Sequence, residues 1–363
     1  MNKKIKTIIA IGGTGGHVFP GCHLATHLRE NNHDVSLVTD KRGYSYLSKF
    51  KYFKIFLLPS SRLSKKNIIN LLYSFLFVIY SVLRCVIFLI FNRPSIIFGM
   101  GGYASFPICL AAAILRIRFV IYENNLIVGK ANKLLLPFTN KIFVSNKELE
   151  GIPDRYNKKI LEIGNIINKK IIYLQKKTFE NEIEKLQILI LGGSQAAEVF
   201  GEKLPAIFKK CSSKGVPIKI YQHCLPHQND KIKTFYSNAK IEFETFNFSH
   251  NLEEYFSKIN LAITRSGSSI LAELTNANIP FISIPLPSSA DNHQFKNGDF
   301  YKRKKFAFLV EENNLEEKLH DLILDIYKNF SILKEIKVNQ SQYSDKNVYK
   351  NIDKFLKKIY EKN

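Results

Sequence analysis

TIIAIGGTGGHVFP, residues 7–20, decides how the rest of the chain reads. Ile8 to Ile11 form a short apolar run of the buried-strand type. Gly12, Gly13, Gly15 and Gly16 follow, and a helical pattern opens at His17. A strand feeding a glycine-rich turn feeding a helix start reads as a loop for a phosphate or an acceptor. Glycine lets the backbone come close to a ligand, and the N–H groups of a first helical turn point at it. The glycines pair as GG-T-GG, which does not fit the G-x-G-x-x-G of dinucleotide enzymes. Such turns also occur for packing alone, and a lone histidine is more often structural. His17, placed after four loop glycines, faces the crevice and is the candidate catalytic residue.

Working outward, the first half alternates short apolar runs with helical patterns. Strands are expected at Lys6–Ile11, Asp34–Thr39, Phe53–Leu58, Ser95–Phe98, Phe119–Glu123 and Lys141–Ser145. Helices are expected between them, notably at Val18–Glu30 and Ile68–Phe91. Apolar runs separated by helices indicate a parallel sheet covered on both faces. The pattern restarts at Leu186–Leu191 with Gly192-Gly193-Ser194-Gln195. Further strands are expected at Ile218–Gln222, Lys240–Phe246, Asn260–Ile263, Pro280–Ile284 and Ala307–Val310. The fold class is therefore α/β, with two doubly wound domains linked through the polar stretch Asn168–Lys185. Asp345–Tyr360 reads as an amphipathic closing helix. Ligands of open α/β sheets bind at the carboxyl ends of the strands, so a substrate cleft is expected between the domains.

Composition narrows the function. The chain has 363 residues, 45% of them hydrophobic, and a net charge of +22. That length supports two or three cores, and the hydrophobic content excludes disorder. The charge points to anionic partners, lipid headgroups or phosphorylated substrates, or reflects a bias toward Lys, Asn and Ile. Basic residues are scattered without an arginine-rich tail, so no nucleic-acid partner is expected. The five cysteines (Cys22, Cys85, Cys109, Cys211 and Cys224) are odd in number and never in C-x-x-C. Neither a zinc site nor a disulfide framework is supported, which points to a reducing compartment. The apolar run at the N-terminus is too short for a signal peptide.

Ile68–Phe91 has only Asn70 and Arg84 as strongly polar breaks over a length that could span a bilayer. Three readings stand: a buried crossover helix, a membrane-surface helix, or a true span. Spanning would divide one sheet, because the strand Ser95–Phe98 and the turn Gly99-Met100-Gly101-Gly102 follow at once. Lys65, Lys66, Arg84 and Arg93 suit an anionic surface.

Two further constellations carry chemistry. Thr264-Arg265-Ser266-Gly267-Ser268-Ser269 is a small-residue turn before a helix, with Glu273 about a turn and a half in. A carboxylate there can take two vicinal hydroxyls, as nucleotide enzymes do with ribose. Asp291-Asn292-His293-Gln294, with Asn297, places amides and a carboxylate at a helix start, suited to sugar hydroxyls.

Taken in order, these motifs resemble the MurG family, N-acetylglucosaminyltransferases that convert lipid I to lipid II in peptidoglycan synthesis. The resemblance rests on GGTGGHVFP (12–20), MGGY (100–103), YENN with Gly129 and Asn132, Gly164-Asn165, GGSQ (192–195), Phe248, RSG (265–267) with Glu273, and DNHQ with Asn297. It implies a GT-B fold of two Rossmann-like domains. Residues 1–165, joined by the helix 345–363, would form the acceptor and membrane-facing domain, and 166–344 the UDP-sugar domain.

Residue by residue, the resemblance implies that Thr14, Gly15 and Gly16 lie near sugar and diphosphate, and that His17 is the general base. Asn125 would contact the donor sugar, Ser194 the diphosphate, Phe248 and Ser249 the uracil, Glu273 the ribose, and Gln294 the N-acetylglucosamine hydroxyls. Arg265, Ser266, Gly267 and Asn168 would also line the substrate site. Three positions depart from the family pattern. Asn168 stands where the family has Arg after Gly-Asn-Pro, Ala196 where GGSQGA has Gly, and Tyr221-Gln222-His223-Cys224 where HQ-[ST]-G is usual. The implied reaction is inverting transfer from UDP-N-acetylglucosamine to the C4 hydroxyl of the undecaprenyl-diphosphate-linked muramoyl-peptide, lipid I. No D-x-D motif stands where a metal-dependent transferase would want one, so no obligatory metal or cofactor is expected. The implied location is peripheral, on an anionic membrane at the cytoplasmic face of the inner (plasma) membrane. A GT-B enzyme with another acceptor and a UDP-N-acetylglucosamine 2-epimerase are the enzyme rivals. A lectin-like or membrane-adaptor protein is the non-catalytic one, and His17 with Glu273 counts against it.

Overall fold

The apolar runs pair into two separate all-parallel sheets. The computed structural model describes residues 4–60, 68–174, 184–247, 249 and 251–361, without the side chains of residues 68 and 194–197. The first sheet contains β1 (Lys6–Ala10), β2 (Asp34–Thr39), β3 (Lys54–Leu57), β4 (Ile96–Gly99), β5 (Phe119–Glu123), β6 (Lys141–Val144) and β7 (Ile160–Glu162). Its order is β3-β2-β1-β4-β5-β6-β7. The second contains β8 (Leu186–Leu191), β9 (Ile218–His223), β10 (Glu242–Phe246), β11 (Leu261–Arg265), β12 (Phe281–Ile284) and β13 (Phe308–Leu309), in the order β10-β9-β8-β11-β12-β13. Both follow the doubly wound pattern, in which strand order reverses beside the first strand. Inner strands such as β4 and β5 are buried along their whole length, which is why they read as apolar runs, ended in β5 by the buried Glu123.

The chain divides into two compact units: Met1–Asn168 with Asp345–Asn363, and Lys169–Ser344. The first core packs Ile8, Ala10, Ile97, Ile108, Ile121 and Ile142. The second packs Ile188, Ile190, Phe200, Phe208, Ile220 and Ile263. The closing helix Val348–Tyr360 belongs to the first unit. It buries Val348, Ile352 and Leu356 on one face. Asp353 Oδ1 lies 2.8 Å from His27 Nε2, and the Tyr349 hydroxyl donates to the Ile167 carbonyl at 2.6 Å.

Two features differ from the sequence expectation, and a third narrows the readings left open there. The first helix, Gly15–Glu30, starts two residues before His17, because the glycine pair itself forms the opening turn. β7 was not expected; it is three residues long and follows a lysine-bearing turn. Ile68–Phe91 is a single crossover helix whose flanking strands, β3 and β4, lie in the same sheet, which excludes the span. It buries a stripe of Ser74, Ser81, Val82, Cys85 and Leu89 at helical spacing. Most of the rest is exposed, up to 78% at Ile69 and 80% at Phe91, while Phe77, Val78, Val86 and Phe88 are half-buried. Part of the expected link, residues 175–183, lies outside the described residues.

Candidate active site

In the first unit, site residues gather where β1, β4 and β5 end, at the switch in strand order. Thr14, extended at φ −110° and ψ 163°, caps the helix Gly15–Glu30, and its carbonyl accepts from His17 N at 3.0 Å. The His17 ring lies against the turn after β4. A Cβ at Gly101 would stand 3.0 Å from His17 Nδ1 and Cε1, and one at Gly102 would stand 3.2 Å from Cδ2. Both glycines have φ in the left-handed region, at +89° and +72°. Two glycines in sequence therefore make the seat for the imidazole, since side chains there would meet the ring and strain the backbone.

Two carboxylates hold this arrangement. Asp40 is buried at the end of β2; its Oδ1 accepts from Gly43 N at 2.7 Å and Gly13 N at 3.2 Å. Its Oδ2 accepts from the Ser60 hydroxyl at 3.2 Å. Glu123, the last residue of β5, is 2% exposed. Its Oε1 accepts from the backbone and side-chain N–H of Asn125 at 3.1 and 3.0 Å. Its Oε2 accepts from Gly129 N at 2.8 Å and Asn132 Nδ2 at 3.0 Å. A buried carboxylate with this many donors is compensated for lost hydration. Asn124 Nδ2 donates to the Gly16 carbonyl at 3.0 Å, tying the turn after β5 to the glycine loop. Thr14, Gly15, Gly16, His17 and Asn125 are thus brought together. Asn168 is the last residue of this unit.

In the second unit, the turn after β8 opens the helix Gly193–Ser213 with Gly193 at φ +65°. The backbone of Ser194 lies in that helix's first turn, where N–H groups and the helix dipole favour an anion. Phe248 falls outside the described residues. Ser249 Oγ accepts from Asn251 N at 3.1 Å.

The turn after β11 is built from inside. Ser266 is buried, its hydroxyl 2.6 Å from that of Ser283, and its carbonyl accepts from Asn297 Nδ2 at 3.1 Å. Arg265 is buried as well. It pairs with Glu312, donates to the Pro285 carbonyl at 3.2 Å, and lies 4.6 Å over the Phe200 ring. Its guanidinium therefore braces the turns after β11 and β12. Gly267 caps the helix Ser268–Asn276, which carries Glu273. Burial, and secondarily the Glu253 carboxylate, pushes the Glu273 acid up to about 8. Gln294 Oε1 accepts from Leu286 N at 3.0 Å, beside Asp291 and Asn292, both left-handed at φ 52° and 54°.

Sequence reasoning missed the parts played by Asp40, Glu123, Gly101 and Gly102. Gly101, Gly102 and Glu123 stood inside the motifs MGGY and YENN without a part assigned to them, and Asp40 had a local sign of its own, since Asp-Lys-Arg-Gly is a capping turn.

Residues 7–144 match the glycosyltransferase family 28 N-terminal domain, and residues 187–352 match its C-terminal domain. The protein is thus a family 28 glycosyltransferase. A relative from Pelagibacter ubique (strain HTCC1062) is 34% identical over 355 residues, 97% of each chain. That relative is named UDP-N-acetylglucosamine--N-acetylmuramyl-(pentapeptide) pyrophosphoryl-undecaprenol N-acetylglucosamine transferase. Among solved structures, Acinetobacter baumannii MurG superposes with a TM-score of 0.77 at 21% identity, covering 98% of this chain and 99% of that one. A UDP-N-acetylglucosamine 2-epimerase superposes at 0.67 with 12% identity, covering 99% and 98%. At those identities the superpositions speak for the shared GT-B type fold alone. The sequence relationship is decisive: this chain belongs to the MurG family.

Proposed function

We propose that the protein transfers N-acetylglucosamine from UDP-N-acetylglucosamine to the C4 hydroxyl of the muramoyl-peptide of lipid I, giving lipid II. The observation that carries this reading is the relationship to the Pelagibacter transferase over 97% of both chains. The first unit takes the acceptor and the second the UDP-sugar. The acceptor hydroxyl attacks the anomeric carbon from the face opposite UDP. A C1–O4 bond forms, the bond from C1 to the diphosphate oxygen breaks, and His17 takes the hydroxyl proton. The seat at Gly101 and Gly102 supports that role, because a base must be held in place before it acts. Charge on the leaving UDP meets backbone N–H groups at Gly192–Ser194. Glu273 takes the ribose hydroxyls, Gln294 the sugar hydroxyls, and Phe248 and Ser249 the uracil. Asn125 contacts the donor sugar, and Asn168, Arg265, Ser266 and Gly267 complete the substrate site.

The exposed face of the helix Ile68–Phe91 supports peripheral attachment to an anionic membrane at the cytoplasmic face. Leu72, Phe75, Leu76, Leu83 and Ile87 are all more than half exposed there, at 54–58%. An apolar surface of that extent marks a contact with lipid or protein. Mass analysis of the products tests the whole reading. One N-acetylhexosamine added to lipid I, with UDP released, is expected. Conversion of UDP-N-acetylglucosamine to its 2-epimer, with no change in the acceptor, overturns it.

A further inference from the structure

Arg265 ends β11 with a side chain only 7% exposed. Its Nη1 donates to the Ile284 and Pro285 carbonyls at 3.4 and 3.2 Å, across the register that sets Arg265 beside Ile284. Its Nη2 pairs with Glu312, and the guanidinium lies over the ring of the fully buried Phe200. Both terminal nitrogens are thus engaged inside the second unit. Arg265 works there through the backbone it holds rather than through its own charge.

That backbone is the start of the turn Pro285-Leu286-Pro287 after β12. Its two prolines have no N–H, so Leu286 N is the one backbone donor of the three. It goes to Gln294 Oε1 at 3.0 Å. The Pro285 carbonyl and the Leu286 N–H belong to the same planar peptide unit. Arg265 therefore holds one end of a plane whose other end orients the Gln294 amide. With Oε1 committed to Leu286, Nε2 of Gln294 is the end left to donate to a sugar oxygen.

Glu312 keeps the guanidinium in place. It opens the short turn Glu312–Asn314 after β13, with its side chain 19% exposed. Without that carboxylate a buried guanidinium would regain hydration by turning outward, and the Pro285 carbonyl would lose its donor. The helix His293–Arg303 is fixed separately. A Cβ at Gly298 would stand 3.0 Å from Ser283 Oγ and 3.1 Å from Ser266 Oγ, so that helix presses on the ends of β11 and β12. Loss of Glu312 therefore acts on the peptide after Pro285 and not on the helix that carries Gln294.

We propose that Glu312 is a positioning residue for the donor sugar: through Arg265 it fixes the Pro285–Leu286 peptide that orients the Gln294 amide. This rests on the reading above, in which Gln294 takes the sugar hydroxyls. It makes a residue on the loop after β13 a determinant of the preference for a sugar nucleotide over the bare nucleotide.

Calorimetry with UDP-N-acetylglucosamine and with UDP, run well below the unfolding temperature, tests this as a ratio of two affinities. Glu312→Ala should weaken the sugar nucleotide about three- to tenfold, the worth of one hydrogen bond, and UDP hardly at all. A merely structural role would move both together. Glu312→Gln keeps the shape and one acceptor oxygen and should show a smaller loss in the same direction, which preserves the comparison if the alanine variant does not fold. Once Arg265→Met is in place, Glu312→Ala should cost nothing further. In turnover, KM for UDP-N-acetylglucosamine should rise while KM for the acceptor stays. Equal losses for both ligands, no loss for either, or losses that add in the double variant overturn the proposal. Gln294→Ala separates it from the reading it rests on. A ratio lowered by Gln294→Ala but untouched by Glu312→Ala refutes the part given to Glu312 and leaves the sugar contact standing. A ratio untouched by both removes the sugar contact as well.

Discussion

The imidazole of His17 rests against Gly101: a Cβ at that glycine would be 3.0 Å from both Nδ1 and Cε1 of the ring. A position held empty by φ +89° thus fixes the orientation of the candidate base. Two variants separate the group from its seat. His17→Ala should lower kcat by about 10²–10⁴-fold with UDP affinity intact. Gly101→Ala keeps the imidazole but displaces it, and should cost on the order of 10–100-fold in kcat. Wild-type turnover in either variant, by steady-state kinetics, would refute the corresponding role.

Glu123 is held by four donors across Asn125, Gly129 and Asn132. Glu123→Gln keeps the shape but turns an N–H toward donors on one side. Thermal denaturation should show a loss of about 1–3 kcal/mol, the cost of an unsatisfied buried group. UDP affinity, which the proposed function assigns to the second unit, should not change.

Glu273 gives a pH dependence whose sign can be worked out. Its acid is raised from 4.5 to about 8, so the ligand-free protein loses stability as pH rises through that interval. Accepting two ribose hydroxyls requires the carboxylate. UDP affinity should therefore climb as pH rises toward 8 and level off above it, with a proton released on binding below 8. Calorimetry from pH 6 to 9 in buffers of different ionisation enthalpy checks this, and Glu273→Gln should flatten the profile.

Membrane attachment should show an apolar and an ionic part. Replacing Leu72, Phe75 and Ile79 by Ser removes exposed side chains worth roughly 1.5–3 kcal/mol each when inserted. Vesicle sedimentation should fall sharply in that variant, while circular dichroism stays native. High salt should weaken wild-type binding to anionic vesicles without abolishing it, because screening acts only on the charges. Phe77 is left out of the set because it is half-buried.

The strands were readable because inner parallel strands bury both faces, so Ile96–Gly99 stands out as an apolar run and Leu186–Leu191 as one broken only at Gln187. β7 was not, since Ile160-Leu161-Glu162 is too short to show a pattern and buries no residue fully. The candidate site residues were legible as motifs. Their supports were not, because they act across sequence distance on backbone atoms. Asp40 meets Gly13 across 27 positions, and Asn124 meets Gly16 across 108. Arg265 shows the opposite problem. Its place in a glycine turn reads as a ligand contact, while its pairing with Glu312 and Phe200 is visible only in three dimensions.

The return of Val348–Tyr360 to the first unit bears on how the protein is made. His27 emerges early from the ribosome, but its partner Asp353 follows 326 residues later. The second unit, Lys169–Ser344, is an uninterrupted segment and can fold while translation continues. The first cannot be completed until the last helix has emerged. Until then Ile167 and His27 lack the Tyr349 and Asp353 groups that cover them. An unfinished chain therefore carries a complete second unit and an unsealed first one, so synthesis itself keeps the first unit from reaching its final form ahead of the second.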